Sequence, residues 1–300
     1  MTVDPSRRMF LSWTAGAALA GSSLLPMAGT LRAAEPGKPP IRLRKAVKFD
    51  MIKLDAPVED KFNLIKSLGF EGVEINSPSS VDRQAAVAAS KKTGIVIHGV
   101  IDSVHWDQRL SDPDPAVRAK GLAALKTAID DCKFYGGTTV LLVPGRVANA
   151  QTENFEQCWE RSTAEVRKVI PQAQAAGVKI AIETVWNDFL TKPEQLVKYV
   201  DQFQTPAVGA YFDISNMIKY GVPPAQWVRQ LGKRLLKFDF KGYHLKNGWV
   251  DIGEGSEDWP EVLKALAEIG YNGWATSEVR GGGEDALRDI ARRMDKVLNA

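Results

Sequence analysis

The sequence predicts an α/β protein whose one folded domain is a closed (β/α)8 barrel. Three observations predict it. Short apolar runs alternate with longer amphipathic stretches, the alternation repeats eight times, and no Gly-rich dinucleotide fingerprint follows the first run. An open doubly wound sheet would share the alternation, but the count and the missing fingerprint favour closure.

The strands, in order, are read at Ala46-Met51, Gly72-Asn76, Ile95-Val100, Thr139-Val143, Lys179-Glu183, Val208-Asp213, Leu235-Phe240 and Gly273-Glu278. Near-continuous apolar runs of this kind suit parallel strands covered on both faces. Helical stretches fall near Val58-Leu68, Val81-Lys92, Pro115-Tyr135, Phe155-Ala176, Pro193-Gln202, Pro224-Leu231, Trp259-Ile269 and Glu284-Leu298. At Gly69, Gly94 and Gly177 one device repeats: a helix ends, a glycine takes the left-handed cap conformation, and a buried strand begins.

The N-terminus stands apart from this pattern. Ser6-Arg7-Arg8-Met9-Phe10-Leu11 is a twin-arginine export pattern, followed by the weakly apolar stretch Thr14-Thr30 and a small-residue cleavage region at Leu31-Arg32-Ala33-Ala34. The competing reading is a membrane anchor, for which the stretch is short and too rich in Gly and Ser. Residues 1-34 are therefore assigned to a twin-arginine signal peptide, the Pro/Gly-rich residues 35-43 to a linker, and residues 44-300 to the barrel. The expectation is a periplasmic or otherwise exported protein that engages the twin-arginine machinery. Export after folding suits an enzyme that acquires a metal beforehand.

The chain carries 39 Lys and Arg against 36 Asp and Glu. Cleavage near Ala34 removes Arg7, Arg8 and Arg32 but only Asp4, which brings the balance closer to neutral and excludes an electrostatic case for nucleic acid or an anionic membrane. The two cysteines, Cys132 and Cys158, fall in different helical stretches and do not form the dense framework of a disulfide-stapled domain.

In a barrel of this kind the chemistry sits at the C-terminal ends of the strands. Four consecutive strands end on acids: Glu183 after Ile180-Ala181-Ile182, Asp213 after Ala210-Tyr211-Phe212, Asp239 after Lys237-Phe238, and Glu278 after Ala275-Thr276-Ser277. Each is separated from the next by about one strand-helix unit, so neighbouring strands bring them to one side of the mouth. Unpaired carboxylates at short range repel, and a divalent cation makes such a cluster tolerable. Mn, Mg, Co and Zn all suit the donors. Histidine is scarce. His98 is read as ending the third strand, His105 follows in the next loop, and both are candidate substrate contacts; His244 lies just beyond the seventh strand and competes with Asp239 for the third metal position. Gly281-Gly282-Gly283 reads as a flexible entry to the last helix.

The stretches Leu110-Ser111-Asp112-Pro113-Asp114-Pro115, Ile182-Glu183-Thr184-Val185-Trp186-Asn187, Phe212-Asp213-Ile214-Ser215-Asn216 and Ile252-Gly253-Glu254-Gly255 resemble the xylose isomerase-like TIM-barrel group. That group includes sugar isomerases, ketose 3-epimerases, hydroxypyruvate isomerase and endonuclease IV. The resemblance covers nearly the whole chain after the linker. In the epimerase branch it implies one divalent metal held by Glu, Asp, His and Glu, which carries over to Glu183, Asp213 and Glu278. The third position departs: the family's His-x-Lys-Asp stretch aligns with Asp239-Phe240-Lys241, while His244-Leu245-Lys246-Asn247 looks more like the motif but falls late. Asn216 also departs, standing where several epimerases carry a substrate-binding His. The three-metal site of endonuclease IV needs more histidines than this chain has.

The implied activity is that of a metal-dependent sugar isomerase or epimerase, with Glu183 and Glu278 moving a proton on the carbon next to a carbonyl. Trp186, Asn187, His105 and Arg280 are expected to orient hydroxyls, with His98, Asn216 and Lys241 as further substrate contacts. Export and the lack of a Gly-rich phosphate cradle point to an unphosphorylated sugar or glycoside. Two other readings share the site: a 3-keto-glycoside lyase or hydrolase using the same enolate step, and a non-catalytic periplasmic carbohydrate-binding barrel. A homo-oligomer is left open.

Overall fold

Eight parallel strands close on themselves in the computed structural model, which describes residues 42–299. The twin-arginine pattern, the cleavage region and the linker up to residue 41 lie outside the described residues. The strands are β1 (Leu43–Lys48), β2 (Gly72–Ser77), β3 (Val96–Asp102), β4 (Thr139–Leu142), β5 (Lys179–Glu183), β6 (Val208–Asp213), β7 (Leu235–Phe240) and, after a small hairpin, β10 (Gly273–Ser277). The hairpin pairs β8 (Tyr243–His244) with β9 (Gly248–Trp249) in antiparallel register. Around the barrel the order is β1, β2, β3, β4, β5, β6, β7, β10, and β10 pairs with β1 from Leu43 opposite Gly273 to Val47 opposite Ser277.

The helices α1 (Val58–Ser67), α2 (Arg83–Thr93), α3 (Pro115–Tyr135), α4 (Phe155–Ala176), α5 (Pro193–Asp201), α6 (Pro224–Leu231), α7 (Trp259–Glu268) and α8 (Glu284–Leu298) wrap the outside. Outward strand residues such as Val47, Val73, Val140, Ile180, Ile182 and Phe238 are fully buried in one continuous core with helix residues such as Phe62, Ile65, Val166 and Leu266. Asp82, Asp114 and Asn154 cap the starts of α2, α3 and α4 with side-chain oxygens on backbone N–H groups. The glycines expected to end helices do so in the left-handed region, at φ 84° for Gly69, 81° for Gly94 and 69° for Gly177.

Inside the barrel the packing is different. Leu141, Ala181 and Tyr211 form a small apolar cluster of their own. Otherwise the lumen is strongly polar, with Lys48, Glu74, His98, Lys237 and Asp239 buried within it. Contacts between strands that are not neighbours establish that these side chains point inward: the Tyr211 hydroxyl on β6 lies 2.9 Å from Glu74 Oε2 on β2, and Lys237 Nζ on β7 lies 3.3 Å from Glu74 Oε1.

Several boundaries shift against the sequence reading. β1 ends at Lys48, because Phe49–Met51 turn into a single 3-10 turn. β3 runs on to Asp102, so His98 is its third residue and not its end. Both cysteines are buried free thiols. No helix among the described residues is long and apolar enough to cross a membrane.

Candidate active site

Four strand ends meet at one point of the mouth. Glu183 closes β5, Asp213 closes β6, Asp239 is the last residue but one of β7, and Glu278 follows β10 directly. Asp213 and Asp239 are register partners, and the Glu278 N–H donates to the Phe240 carbonyl at 3.0 Å, which holds Glu278 in line with the strands. One carboxylate oxygen from each of the four lies within 4.8 Å of the others. The N–H groups of Ser215 and Asn216 both donate to Asp213 Oδ1 at 2.8 Å, which fixes the carboxylate and turns Oδ2 toward the cluster.

The carboxylates are not unpaired, as sequence reasoning expected. Lys48 Nζ, from the end of β1, stands 2.9 Å from Asp239 Oδ2, 3.6 Å from Glu278 Oε1 and 3.7 Å from Glu74 Oε2. Lys241 Nζ bridges Asp213 Oδ2 at 2.8 Å and Glu278 Oε2 at 2.5 Å, so this side chain is drawn into the cluster. Lys48 is the site residue that sequence reasoning missed. Its only signal was a cationic side chain inside the first apolar run, obscured because that run continues through Phe49 and Met51.

Lumen and mouth together hold five carboxylates (Glu74, Glu183, Asp213, Asp239, Glu278) against three ammonium groups (Lys48, Lys237, Lys241), a formal excess of two negative charges. Burial pushes the two nearby imidazoles well below their usual range, His105 to about 3, so they do not offset it. One divalent cation would, in place of the protons that burial otherwise favours on Glu183 and Asp239. Asp213 Oδ2, Asp239 Oδ2 and Glu278 Oε2 are buried and, although near a lysine, make no hydrogen bond among the described residues. An all-oxygen donor set with this excess charge fits a hard or borderline divalent ion. Two of those oxygens are also the ones Lys241 contacts, so ammonium and metal share a position.

The two glutamates differ sharply in proton affinity. Burial, and then the charge of Glu278, raises the Glu183 carboxyl to about 8; it has no lysine at ion-pair distance among the described residues. Burial acts the same way on Glu278, but Lys48 and Lys241 outweigh it and hold that carboxyl down to about 2. Asp239 is raised well above the carboxylate range, chiefly by burial. Its Oδ1 shares the Tyr211 hydroxyl with Glu74, 2.9 Å on either side. One phenolic proton serves only one of these acceptors at a time, so a proton on Asp239 completes the bridge.

The remaining expectations divide. His244 lies in the hairpin, its Nδ1 accepting from the N–H groups of Lys246 and Asn247 at 3.2 Å, and it does not join the cluster. His98 sits deep in the lumen, stacked on Trp274 with Nδ1 2.6 Å from Lys237 Nζ, where a substrate contact is displaced by a structural one. Asn187 spends its amide on the Gly145 carbonyl and the Phe189 N–H. Trp186 donates to the Asn216 carbonyl at 2.6 Å and stacks on Trp249, and Asn216 donates to the Thr184 carbonyl and faces Lys241. His105 and Arg280 do line the cavity that opens beside Glu278. Gly281 and Gly282 form no free linker: the Gly282 N–H donates to the Met51 carbonyl at 3.0 Å, and its carbonyl accepts from Lys53 N–H at 2.9 Å.

Residues 62–297 match the family model described as xylose isomerase-like TIM barrel. The chain belongs to that family. Among curated relatives, D-psicose 3-epimerase of Ruminiclostridium cellulolyticum is 28% identical over 260 residues, covering 78% of this chain and 84% of the relative. L-ribulose-5-phosphate 3-epimerase UlaE of Escherichia coli O1:K1 is 26% identical over 254 residues, covering 79% and 88%. The solved structure of 3-keto-D-glucoside 4-epimerase YcjR from E. coli superposes with a TM-score of 0.74 at 15% identity, covering 86% of this chain and all of that one. At that identity the likeness shows the fold. Within the xylose isomerase-like family, then, this chain presents an acidic cluster with two lysines set into it.

Proposed function

We propose that this protein is a metal-dependent epimerase that moves a proton on the carbon next to the carbonyl of an unphosphorylated sugar. Membership in the isomerase and epimerase class rests on the family and on relatives that are sugar epimerases. The observation that carries the mechanism is the pair Glu183 and Glu278, two carboxyls brought to one cluster from the end of β5 and the end of β10. Glu278, kept anionic by Lys48 and Lys241, accepts the proton from one face of the sugar. Glu183, on the other side of the cluster, returns a proton to the other face. Proton return to the same carbon inverts it; return to the neighbouring carbon would interconvert ketose and aldose.

Glu183, Asp213, Asp239 and Glu278 are the residues that would hold the divalent ion, whose charge would stabilise the oxygen that becomes negative as the proton leaves. His105, neutral and lining the cavity, is positioned to bond a hydroxyl. The unphosphorylated substrate and a periplasmic location rest on the export pattern Ser6-Leu11. A second reading, a 3-keto-glycoside lyase that expels its aglycone from the same enolate, gains support from the room beside Glu278, a cavity of about 640 Å3.

Solvent-deuterium incorporation followed by NMR on free ketoses and 3-keto-glucosides tests the assignment. Label at one carbon with the skeleton intact is expected, and Glu183→Gln or Glu278→Gln should each slow it about 10²- to 10⁴-fold. Undiminished exchange in both variants would sink the proton-transfer roles, and full activity in a metal-free preparation would sink the metal.

A further inference from the structure

The cavity beside Glu278 lies between the segments that follow β1, β3 and β10, and its charged lining is lopsided. Its two acids are committed: Asp50 accepts from Asn76 Nδ2 at 2.5 Å, and Glu278 is held by both site lysines. Its cations are not. Lys53 and Arg280 line it without an ion pair or side-chain hydrogen bond among the described residues. Lys48 also lines it, 5% exposed, and its Nζ makes no hydrogen bond among the described residues.

The two rim cations are set by the backbone. Ile52 and Gly282 form a parallel bridge, with hydrogen bonds from Lys53 N–H to the Gly282 carbonyl and from Gly282 N–H to the Met51 carbonyl. A Cβ on Gly281 would fall 2.1 Å from the Met51 carbonyl oxygen, so only glycine permits the approach. This closure places Lys53 and Arg280 on the same edge of the cavity. Ile101 and the exposed Trp106 also line the cavity and supply apolar surface for a sugar ring.

We propose that this cavity is a subsite for a carboxylate carried by the sugar at a carbon remote from the one that exchanges its proton, so that the substrate class is a sugar acid. The proposal rests on the functional reading above and names the substrate class for it. A guanidinium at the rim binds an oxyanion in two-point fashion, and an ammonium beside it adds charge without geometric demand. Phosphate shares that chemistry, and the test separates the two.

Binding to the full-length, Mn²⁺-loaded protein is measured by calorimetry for a matched set: D-fructose, D-fructuronate and D-fructose 6-phosphate. Fructuronate is expected to bind about tenfold tighter than fructose at low salt, with the preference shrinking as salt rises. In the double variant Lys53→Gln, Arg280→Gln the preference should fall to about one, with thermal unfolding as the check that the variant is folded. Phosphate preferred over carboxylate supports the anion subsite and overturns the sugar-acid assignment together with the unphosphorylated reading. Equal binding of all three sugars, no binding of any, or a preference that survives the double variant overturns the subsite. Deuterium exchange is read on the same samples: exchange without anion preference defeats the subsite alone, and anion preference without exchange defeats the epimerase reading alone.

Discussion

Two charged layers lie one above the other in the lumen, built from the same residue types, and they are balanced differently. In the lower one, Lys237 Nζ reaches Glu74 Oε1 at 3.3 Å and the His98 carbonyl at 2.7 Å, and Tyr211 serves the other Glu74 oxygen. One carboxylate meets Lys237 directly, with Lys48 of the upper layer 3.7 Å from its other oxygen, and each charged atom has a hydrogen-bond partner. In the upper one, four carboxylates meet two ammonium groups, and three carboxylate oxygens make no hydrogen bond. Both layers are buried, so both carry the cost of taking charge out of water. Only the upper one needs further positive charge, from a metal or from protons on Glu183 and Asp239. Burial and charge alone therefore do not separate the two layers; the charge left over when all the carboxyls are ionised does.

Substitutions can break this contrast. The largest stability effect is expected in the lower layer: Lys237→Met strands Glu74 in the lumen and should cost about 3–5 kcal/mol in urea unfolding, with metal content of the surviving fold unchanged. Asp213→Asn in the upper layer should do the reverse, leaving unfolding within about 1 kcal/mol while metal affinity, measured by titration calorimetry, falls about 100-fold. Equal stability losses in the two variants would erase the distinction. Smaller and opposite in sign is Lys241→Met, which clears the ammonium from Asp213 Oδ2 and Glu278 Oε2 and should tighten metal binding about tenfold.

The smallest effect concerns Asp102, a buried carboxyl at the end of β3 that belongs to neither layer and has no ion-pair partner among the described residues. Burial raises it to about 7. Its protonated form is favoured in the fold, so its contribution to stability is fully present below the ordinary carboxyl range and is lost as the pH rises to about 7. Asp102→Asn should flatten the pH dependence of unfolding in that window, by at most one proton's worth of slope. An unchanged profile would show that Asp102 titrates normally.

The barrel was legible because strand and helix periods alternate cleanly, and the four acids because each closes an apolar run. The cations were harder to see. Lys48 was hidden by Phe49 and Met51, which extend the hydrophobic run although the backbone has already turned. Lys241 looked like a substrate contact because sequence shows a charge near a site but not what the charge touches. His98 was misplaced for a related reason: β3 continues through Val100 to Asp102, and the ring's partners, Trp274 and Lys237, come from strands far along the chain. The preference for Asp239 over His244 followed from strand position, and the structure places only Asp239 among the clustered carboxylates.

Lys48 belongs to the first strand and Glu278 follows the last, yet they stand 3.6 Å apart, and the Met51–Gly282 contact fastens the same seam. The carboxylate cluster thus straddles the join between the first and last strands of the barrel. A molecule still being synthesised has no such join until the segment after β10 has emerged, since Glu278 follows the last strand of the barrel. The chemistry is in this way a certificate of completion: a chain that has not closed its ring has no place to work.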